Sequence, residues 1–319
     1  MQHMTHRFTL KLRKLQRDSH DKCSVCDLPF HEGDTAHAGY STDGAPLYVG
    51  KCCAGSLGET AARYYWQPLS YDVPEEDAPL WRYMEFSKFV ALLKDRALYF
   101  ARADSLGDPW EGAKGSTVNK LVWDDHYLRS FRDVVRHPPP GVKFNLSDEE
   151  VAKEAQRLLE ELAAVGKYQL RTTYVSCWHE NDVESEALRR LYCPPGSASI
   201  AIRTTFSAVR ASLGNKTEIS IGRVRYIDFR KNFADVNDAI FCKRKSLTHE
   251  REVRAVIHRS EPSEELGLLS PVILPTLLAA IVVSPFAPLW FESVLSVTLK
   301  RFRVSAPIIK SELISEPFF

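Results

Sequence analysis

Four of the chain's seven cysteines fall in one short N-terminal window, as Cys23-Ser-Val-Cys26 and the adjacent pair Cys52-Cys53, with His31 and His37 in the loop between. Thiolates two residues apart on a tight turn can face one ion, and zinc takes four such donors at tetrahedral angles. Cys23 and Cys26 make that turn. Gly50, ahead of the second pair, permits a sharp backbone, and Tyr48-Val-Gly-Lys-Cys-Cys reads as a strand entering a knuckle, with a helix to follow near Ser56. The spacing predicts a zinc-binding module over residues 23–66 with Cys23, Cys26, Cys52 and Cys53 as ligands. Adjacent cysteines are an awkward pair for one ion, so a three-cysteine site completed by His31 or His37 stays open. A closed set of soft ligands folds a module and leaves no open position for catalysis, so chemistry is sought elsewhere in the chain.

With 319 residues the chain can bury one sizeable core beside such a module. Charge is balanced, 42 basic against 41 acidic residues, which removes any global pull toward nucleic acid or membrane. A local basic patch exists in the leader, residues 1–22, which lacks the apolar core of a secretory signal. No stretch approaches the ~18 uninterrupted apolar residues of a membrane span; the richest, Leu266 to Val283, is broken by Pro271 and Pro275. An odd cysteine count with a C-x-x-C pair fits a reducing cytoplasm, where thiolates bind metal instead of forming disulfides. Expected partners are a macromolecular target, protein or nucleic acid, and no membrane.

Residues 67–79, acidic and rich in proline, read as a linker to a main domain over 80–319. Apolar spacing predicts a helix near Glu85 to Asp95, then a strand over Ala97 to Ala101. Ser147 and Glu150 form a capping box that opens a helix ending at Gly166. Strands are expected at Thr172 to Trp178, Ala198 to Arg203, Glu218 to Asp228, Arg251 to Ile257, Ala279 to Val283 and Val304 to Lys310. Helices should fill Ser185 to Tyr192, Phe206 to Leu213, Asp235 to Lys243 and Pro288 to Phe302. This irregular interleaving predicts an α+β fold: a mixed, largely antiparallel sheet core with surrounding helices, preceded by the small zinc-binding module. There is no GxGxxG, P-loop, HExxH or GxSxG motif.

Four polar clusters adjoin predicted strand ends. Arg82 stands among aromatics in Leu80-Trp-Arg-Tyr, either stacked at a boundary or presenting a planar fork to phosphate or ribose. Asp104, Ser105, Asp108, Trp110 and Glu111 share one turn, as do Trp178, His179 and Glu180 after a strand. In the fourth cluster, Lys243-Arg-Lys245 precedes Glu250-Arg-Glu252-Val-Arg254, and alternation puts Glu252 and Arg254 on one strand face and Val253 and Ala255 on the other. That arrangement is either a solvated ladder of ion pairs or a glutamate whose ionisation is tuned by arginine. Cys177, Cys193 and Cys242 read as core residues.

Taken together, Leu80-Trp-Arg82-Tyr, Phe100 through Asp108-Pro-Trp-Glu111, Trp178 with Ser185 to Ile202, Tyr226, Lys243 with Glu250-Arg-Glu252-Val-Arg254, and Ile281-Val-Val-Ser-Pro285 through Ser311-Glu-Leu resemble bacterial domain-of-unknown-function family 2971. Gly107 stands where that family has an asparagine, and the cysteine module precedes the shared region. Arg82, then Tyr99 or Ser105, then Glu250-Arg-Glu252 also resemble the ordered elements of ADP-ribosyltransferases, although no Ser-Thr-Ser segment is present. This second resemblance implies an enzyme that uses NAD to modify a macromolecule. It implies Glu252, Arg82 and Glu250 as catalytic residues and Tyr99, Ser105, Asp108, Trp110 and Glu111 as the NAD-binding set. Two other classes stay open. One is a metal-dependent nuclease or phosphoesterase, with Asp108, Glu111, Glu250 and Glu252 holding magnesium and Lys245 steadying the leaving group. The other is a non-enzymatic, zinc-containing interaction or sensing protein.

Overall fold

A computed structural model describes residues 9–11, 22–31, 35–41, 46–53, 64–65, 71–137, 146–193, 196–214, 216, 218–236 and 239–319. The expected helix near Ser56 and most of the leader lie outside these residues. The chain divides into two compact units, Met1–Ser70 and Tyr71–Phe319. No helix among the described residues is long and apolar enough to cross a membrane.

The first unit is a small antiparallel sheet in which β2 (Thr35–Ser41) pairs with β1 (Thr9–Lys11), β3 (Pro46–Gly50) and β4 (Tyr64–Tyr65). Part of the stretch read as a leader is thus a sheet strand. The knuckle Cys23–Cys26 sits beside β3, where Ser24 N donates to Tyr48 O at 2.8 Å and Tyr48 N donates to Ser24 Oγ at 3.0 Å. Asp27 closes that turn in the left-handed region, φ 58°.

The second unit is α+β, built on one mixed, largely antiparallel sheet. Its strands are β5 (Pro79–Glu85), β6 (Ala97–Arg102), β7 (Thr173–Glu180), β8 (Ser199–Thr205) and β9 (Ile219–Arg223). A separate parallel pair, β10 (Arg225–Ile227) and β11 (Cys242–Arg244), lies outside it. The sheet continues with β12 (Glu252–His258), β13 (Gly267–Pro271), β14 (Ala280–Val283) and β15 (Ile308–Lys310). Its order is β13-β6-β7-β5-β8-β14-β15, with β12 on β7 and β9 on β12. Only β14 and β15 run parallel in this sheet.

The sheet forks at β7. Along one edge β7 pairs with β12 from Thr173 to His179. On its other edge β6 takes Tyr174 and Val175, whereas β5 takes His179 and Glu180. Residues 176–178 lie in the gap between those two pairings. Helices α1 (Phe86–Asp95), α2 (Lys120–Arg136), α3 (Asp148–Thr172), α4 (Glu186–Tyr192), α5 (Phe206–Ser212), α6 (Leu274–Leu277) and α7 (Phe291–Arg301) surround the sheet.

Alternation divides the two sheet faces. Leu80, Tyr174, Trp178, Val253 and Ala255 join Phe89, Phe206 and Phe291 in the main core. Trp81, Tyr83 and Ala201 point the other way and pack with Leu188 of α4. That second face also carries Cys177, His179, Glu252 and Arg254, through the ladder partners Glu252↔His179 and Arg254↔Cys177.

Several expectations need correction. Residues 71–79, read as the end of a linker, are packed: Tyr71 is 9% exposed and its ring centroid lies 4.2 Å from that of Phe241. Arg223 N donates to the Asp72 carbonyl at 2.7 Å, and the Arg223 guanidinium binds Glu75 and Glu180. Glu75 and Glu76 pair with Arg223 and Arg210 at the surface, while Tyr71, Pro74 and Ala78 of the same segment are buried. Helix α3 continues past Gly166 to Thr172, and the capping box at Ser147 is present. The expected helix over 235–243 is a 3-10 turn, Ala239–Phe241, followed by β11. The expected strand over 218–228 is split at Val224 into β9 and β10, and Val224 N turns to the Glu252 carbonyl at 2.8 Å. Two elements carried no clear sequence signal. No residue of α2 is buried, so it lacks a core-facing stripe, and β13 ends at Pro271 on the sheet edge, where a missing N–H costs nothing.

Candidate functional site

In the first unit the ligand atoms of Cys23, Cys26, Cys52 and Cys53 all lie within 4.8 Å of one another, with Cys26 Sγ 3.4 Å from Cys52 Sγ. A tetrahedral ion about 2.3 Å from each sulfur would set them about 3.8 Å apart, so the donor set fits zinc. Both members of the adjacent pair enter the group, because the turn at residues 51–53 swings each sulfur to the same side. His31 is exposed and is not in the group; the His37 side chain lies outside the described residues. Burial pushes the Cys23 thiol up, but backbone hydrogen bonds from Gly50, Val25 and Cys26 prevail and bring it down to about 6. Amide donors aimed at a sulfur favour its thiolate, the form that binds metal.

In the second unit the polar residues of β12 form no solvated ladder. Glu252 and Arg254 are 2% and 0% exposed. Arg254 Nε donates to Glu252 Oε1 at 2.7 Å, and its two terminal nitrogens meet both oxygens of Glu111, one at 3.0 Å. Lys243 Nζ lies 2.7 Å from both Glu250 Oε2 and Glu252 Oε2. Two cations and three carboxylates therefore interlock where water is excluded. Tyr226 Oη accepts from Glu252 N at 2.8 Å and fixes the start of the strand. Burial pushes the Glu252 carboxyl up, but Arg254 and Lys243 more than reverse it and hold the group well below the usual carboxylate range.

His179 stands across the ladder from Glu252 and is 4% exposed. Its Nδ1 faces the Glu250 carbonyl at 2.8 Å, so Nδ1 carries the proton and Nε2 is an acceptor. Burial lowers its proton affinity and keeps the ring neutral. The ring lies 6.0 Å from Tyr83 and 5.4 Å from Tyr192, centroid to centroid.

Arg82 enters through the fork. It starts on the core face of β5, but its guanidinium donates to Ser176 Oγ and lies 5.5 Å from the centroid of the Trp178 ring, in the gap between β5 and β7. No carboxylate pairs with it among the described residues, and desolvation lowers its proton affinity. Burial pushes the Cys177 thiol and the Tyr192 phenol up, so both stay protonated and uncharged. Cys177 stands across the ladder from Arg254, on the strand face of His179 and Glu252, and the Tyr192 ring lies against His179. Lys243, Glu250, Glu252 and Arg254 thus constitute one ion-paired cluster, flanked by Cys177 and Tyr192 on its sheet face and by Arg82 at the fork, the last three partly or well exposed.

The remaining sequence candidates divide. Glu111 belongs to the cluster through Arg254, 143 residues away in sequence. Asp108 accepts from Trp110 N at 3.0 Å and from Arg244 at 3.1 Å, while the Arg244 guanidinium stands 5.7 Å from the Trp110 centroid. These two residues lock the turn. Tyr99, 49% exposed, packs over Gly267 of β13, and Ser105 Oγ donates to Arg102 O at 2.7 Å. Neither bonds a cluster member among the described residues. Lys245 is exposed. Tyr192 escaped the sequence reading, and Cys177, read as a core residue, is half-buried on the polar sheet face; its two-residue spacing from His179 puts both on one strand face.

Comparisons with family models, with curated proteins and with solved structures gave no match.

Proposed function

We propose that the forked end of the sheet is the active site of an ADP-ribosyltransferase-like enzyme that takes NAD and modifies a macromolecule, protein or nucleic acid. The observation that carries this reading is that Arg82, a guanidinium without a carboxylate partner among the described residues, reaches Ser176 at the fork of β7, while the ionised Glu252 and the exposed Tyr192 ring adjoin His179 three residues along the same strand. Arg82 would hold the diphosphate, for which a planar fork without a carboxylate partner is suited. Glu252 would face the sugar carbon where positive charge grows as the bond to nicotinamide breaks, and a carboxylate already ionised needs no reorganisation there. Nicotinamide would leave with the bonding pair, a nucleophile of the target would bond to that carbon, and its proton would pass to water or to Glu250. Lys243 and Arg254 keep Glu252 in place. Because Glu252 is 2% exposed, the reading requires a neighbour such as Tyr192, 39% exposed, to turn aside on binding. On this reading the resemblance to family 2971 describes the second unit.

The nuclease reading is the weaker one. Each of its acids is taken by a cation: Asp108 by Arg244, Glu111 by Arg254, and Glu250 and Glu252 by Lys243. An ammonium already occupies the place a magnesium ion would need. For the first unit we propose one structural zinc on the four cysteines, in a reducing, cytoplasmic setting, with the module contributing stability or target contact.

Labelled NAD incubated with the protein and a cell lysate tests the assignment. Label transfer by the wild type, lost in Glu252→Gln while that variant, though less stable, is still folded at the assay temperature by circular dichroism, is the expected result. Transfer that survives Glu252→Gln would overturn the role of Glu252, and no transfer by the wild type would favour the interaction-module reading.

A further inference from the structure

A second site shares Glu111 with the cluster and otherwise has its own lining. The turn at residues 109–117 and helices α2 and α3 enclose a cavity of about 370 Å³. Its walls are mainly apolar, with Trp123 from α2, Leu159, Leu162 and Leu170 from α3, and Phe233. Trp123 and Phe233 meet with ring centroids 5.1 Å apart. A cavity of this size and lining suits a small organic molecule.

The charges on its wall are unequal in what they have left to offer. Glu111 is held by Arg254, and Asp124 by Lys120 at 2.7 Å. Lys114 has no carboxylate partner among the described residues; its ammonium makes one long bond, 3.3 Å, to the Leu162 carbonyl. An ammonium has three donors, so Lys114 keeps unused capacity beside apolar walls. Gly166 explains how it reaches there: a Cβ at that position would stand 3.1 Å from Lys114 Nζ. A glycine inside a helix costs roughly 1 kcal/mol against alanine, and here it admits a lysine to the helix surface. Lys167, on the same wall, is likewise without a carboxylate partner among the described residues.

We propose that this cavity binds a small amphipathic anion, an aromatic or branched carboxylate, with the apolar body between Trp123, Phe233 and the leucines of α3 and the carboxylate on Lys114. Among the described residues Lys114 is the one half-buried ammonium of the wall, Lys167 being exposed, and one desolvated ammonium among apolar side chains matches a monoanion better than a phosphate, which demands more donors. The site is independent of the NAD reading, since none of its free cations belongs to the Glu252 cluster.

Calorimetric titration of the full chain with naphthoate, its neutral amide and naphthylmethylamine tests the proposal. The expected result is one naphthoate per chain, binding of the amide at least about tenfold weaker, and no binding of the amine. Lys114→Met should reduce naphthoate affinity to that of the amide. The fold should persist, because an unpaired, desolvated ammonium holds no ion pair to lose. Ala163→Trp, on the exposed side of the cavity wall, should abolish binding of both ligands. Naphthoate binding unchanged by Lys114→Met, retained in Ala163→Trp, no tighter than that of the amide, or absent in the wild type would overturn it.

Discussion

Arg254 and Glu111 meet fork to fork, with the Nη2–Oε2 arm at 3.0 Å and side chains 1% and 4% exposed. Removing one partner leaves a buried charge without compensation, which typically costs about 3–5 kcal/mol. Glu111→Ala should therefore lower the urea midpoint sharply. The double variant Glu111→Leu/Arg254→Met should be less damaged than the sum of its single changes. Additive losses in that cycle would show that the pair is not coupled.

Glu252 gives the protein a pH dependence of known sign. Its folded value lies below the unfolded value of about 4.3, so its stabilisation is complete above the unfolded value and is lost as pH falls through the folded one. Lys243→Met removes one cation that keeps it ionised. The stability gap between wild type and Lys243→Met should be widest near neutral pH and should narrow below about pH 4. A gap of constant size from neutral to acid would count against the Lys243–Glu252 pairing.

Metal analysis should find one zinc per chain on the cysteine cluster. Structural zinc contributes folding energy directly, so a strong chelator should unfold the Met1–Ser70 unit before the Tyr71–Phe319 unit melts. Cys26→Ser or Cys52→Ser should lose the metal and the first transition together. Full zinc retention in both variants would rule out the four-cysteine set.

Gly222 tests the docking of residues 71–79. A Cβ there would come within 2.1 Å of the Tyr71 ring, which stacks on Phe241. Gly222→Ala must push Tyr71 off its seat, and overpacking of this kind costs about 1–3 kcal/mol. Faster protease cleavage within 67–79 should accompany the loss. A variant as stable and as resistant as the wild type would mean that the segment is a linker after all.

Much of the architecture was legible because its causes are local. The Ser147–Glu150 box, the apolar spacing of α1 and the two-residue alternation at Glu252 and Arg254 act within one turn or one strand, so neighbouring residues suffice to read them. Gly166 misled for the opposite reason. Its glycine serves the approach of Lys114 from another segment, and a helix held by tertiary packing passes through it. The segment 71–79 looked like a linker because acidic residues and prolines are usually solvated; its acids are indeed exposed, but Tyr71 and Ala78 are buried against distant segments and Arg223 pairs with Glu75.

By itself the sequence determined the Cys23–Cys26 knuckle and the facing of Glu252 and Arg254, since both follow from spacing along a short stretch of backbone; that Cys52 and Cys53 both join the group, with no place for His31, was decided by the fold. Only the tertiary structure decided whether those charges face water or the core, and what neutralises them. Glu111, Lys243 and Arg254 come from three segments, and their attraction is strong only because the fork and the packed turn exclude water around them. The same fork brings Arg82 beside Ser176 and leaves it without a counter-ion among the described residues, a property of strand order that no local pattern encodes.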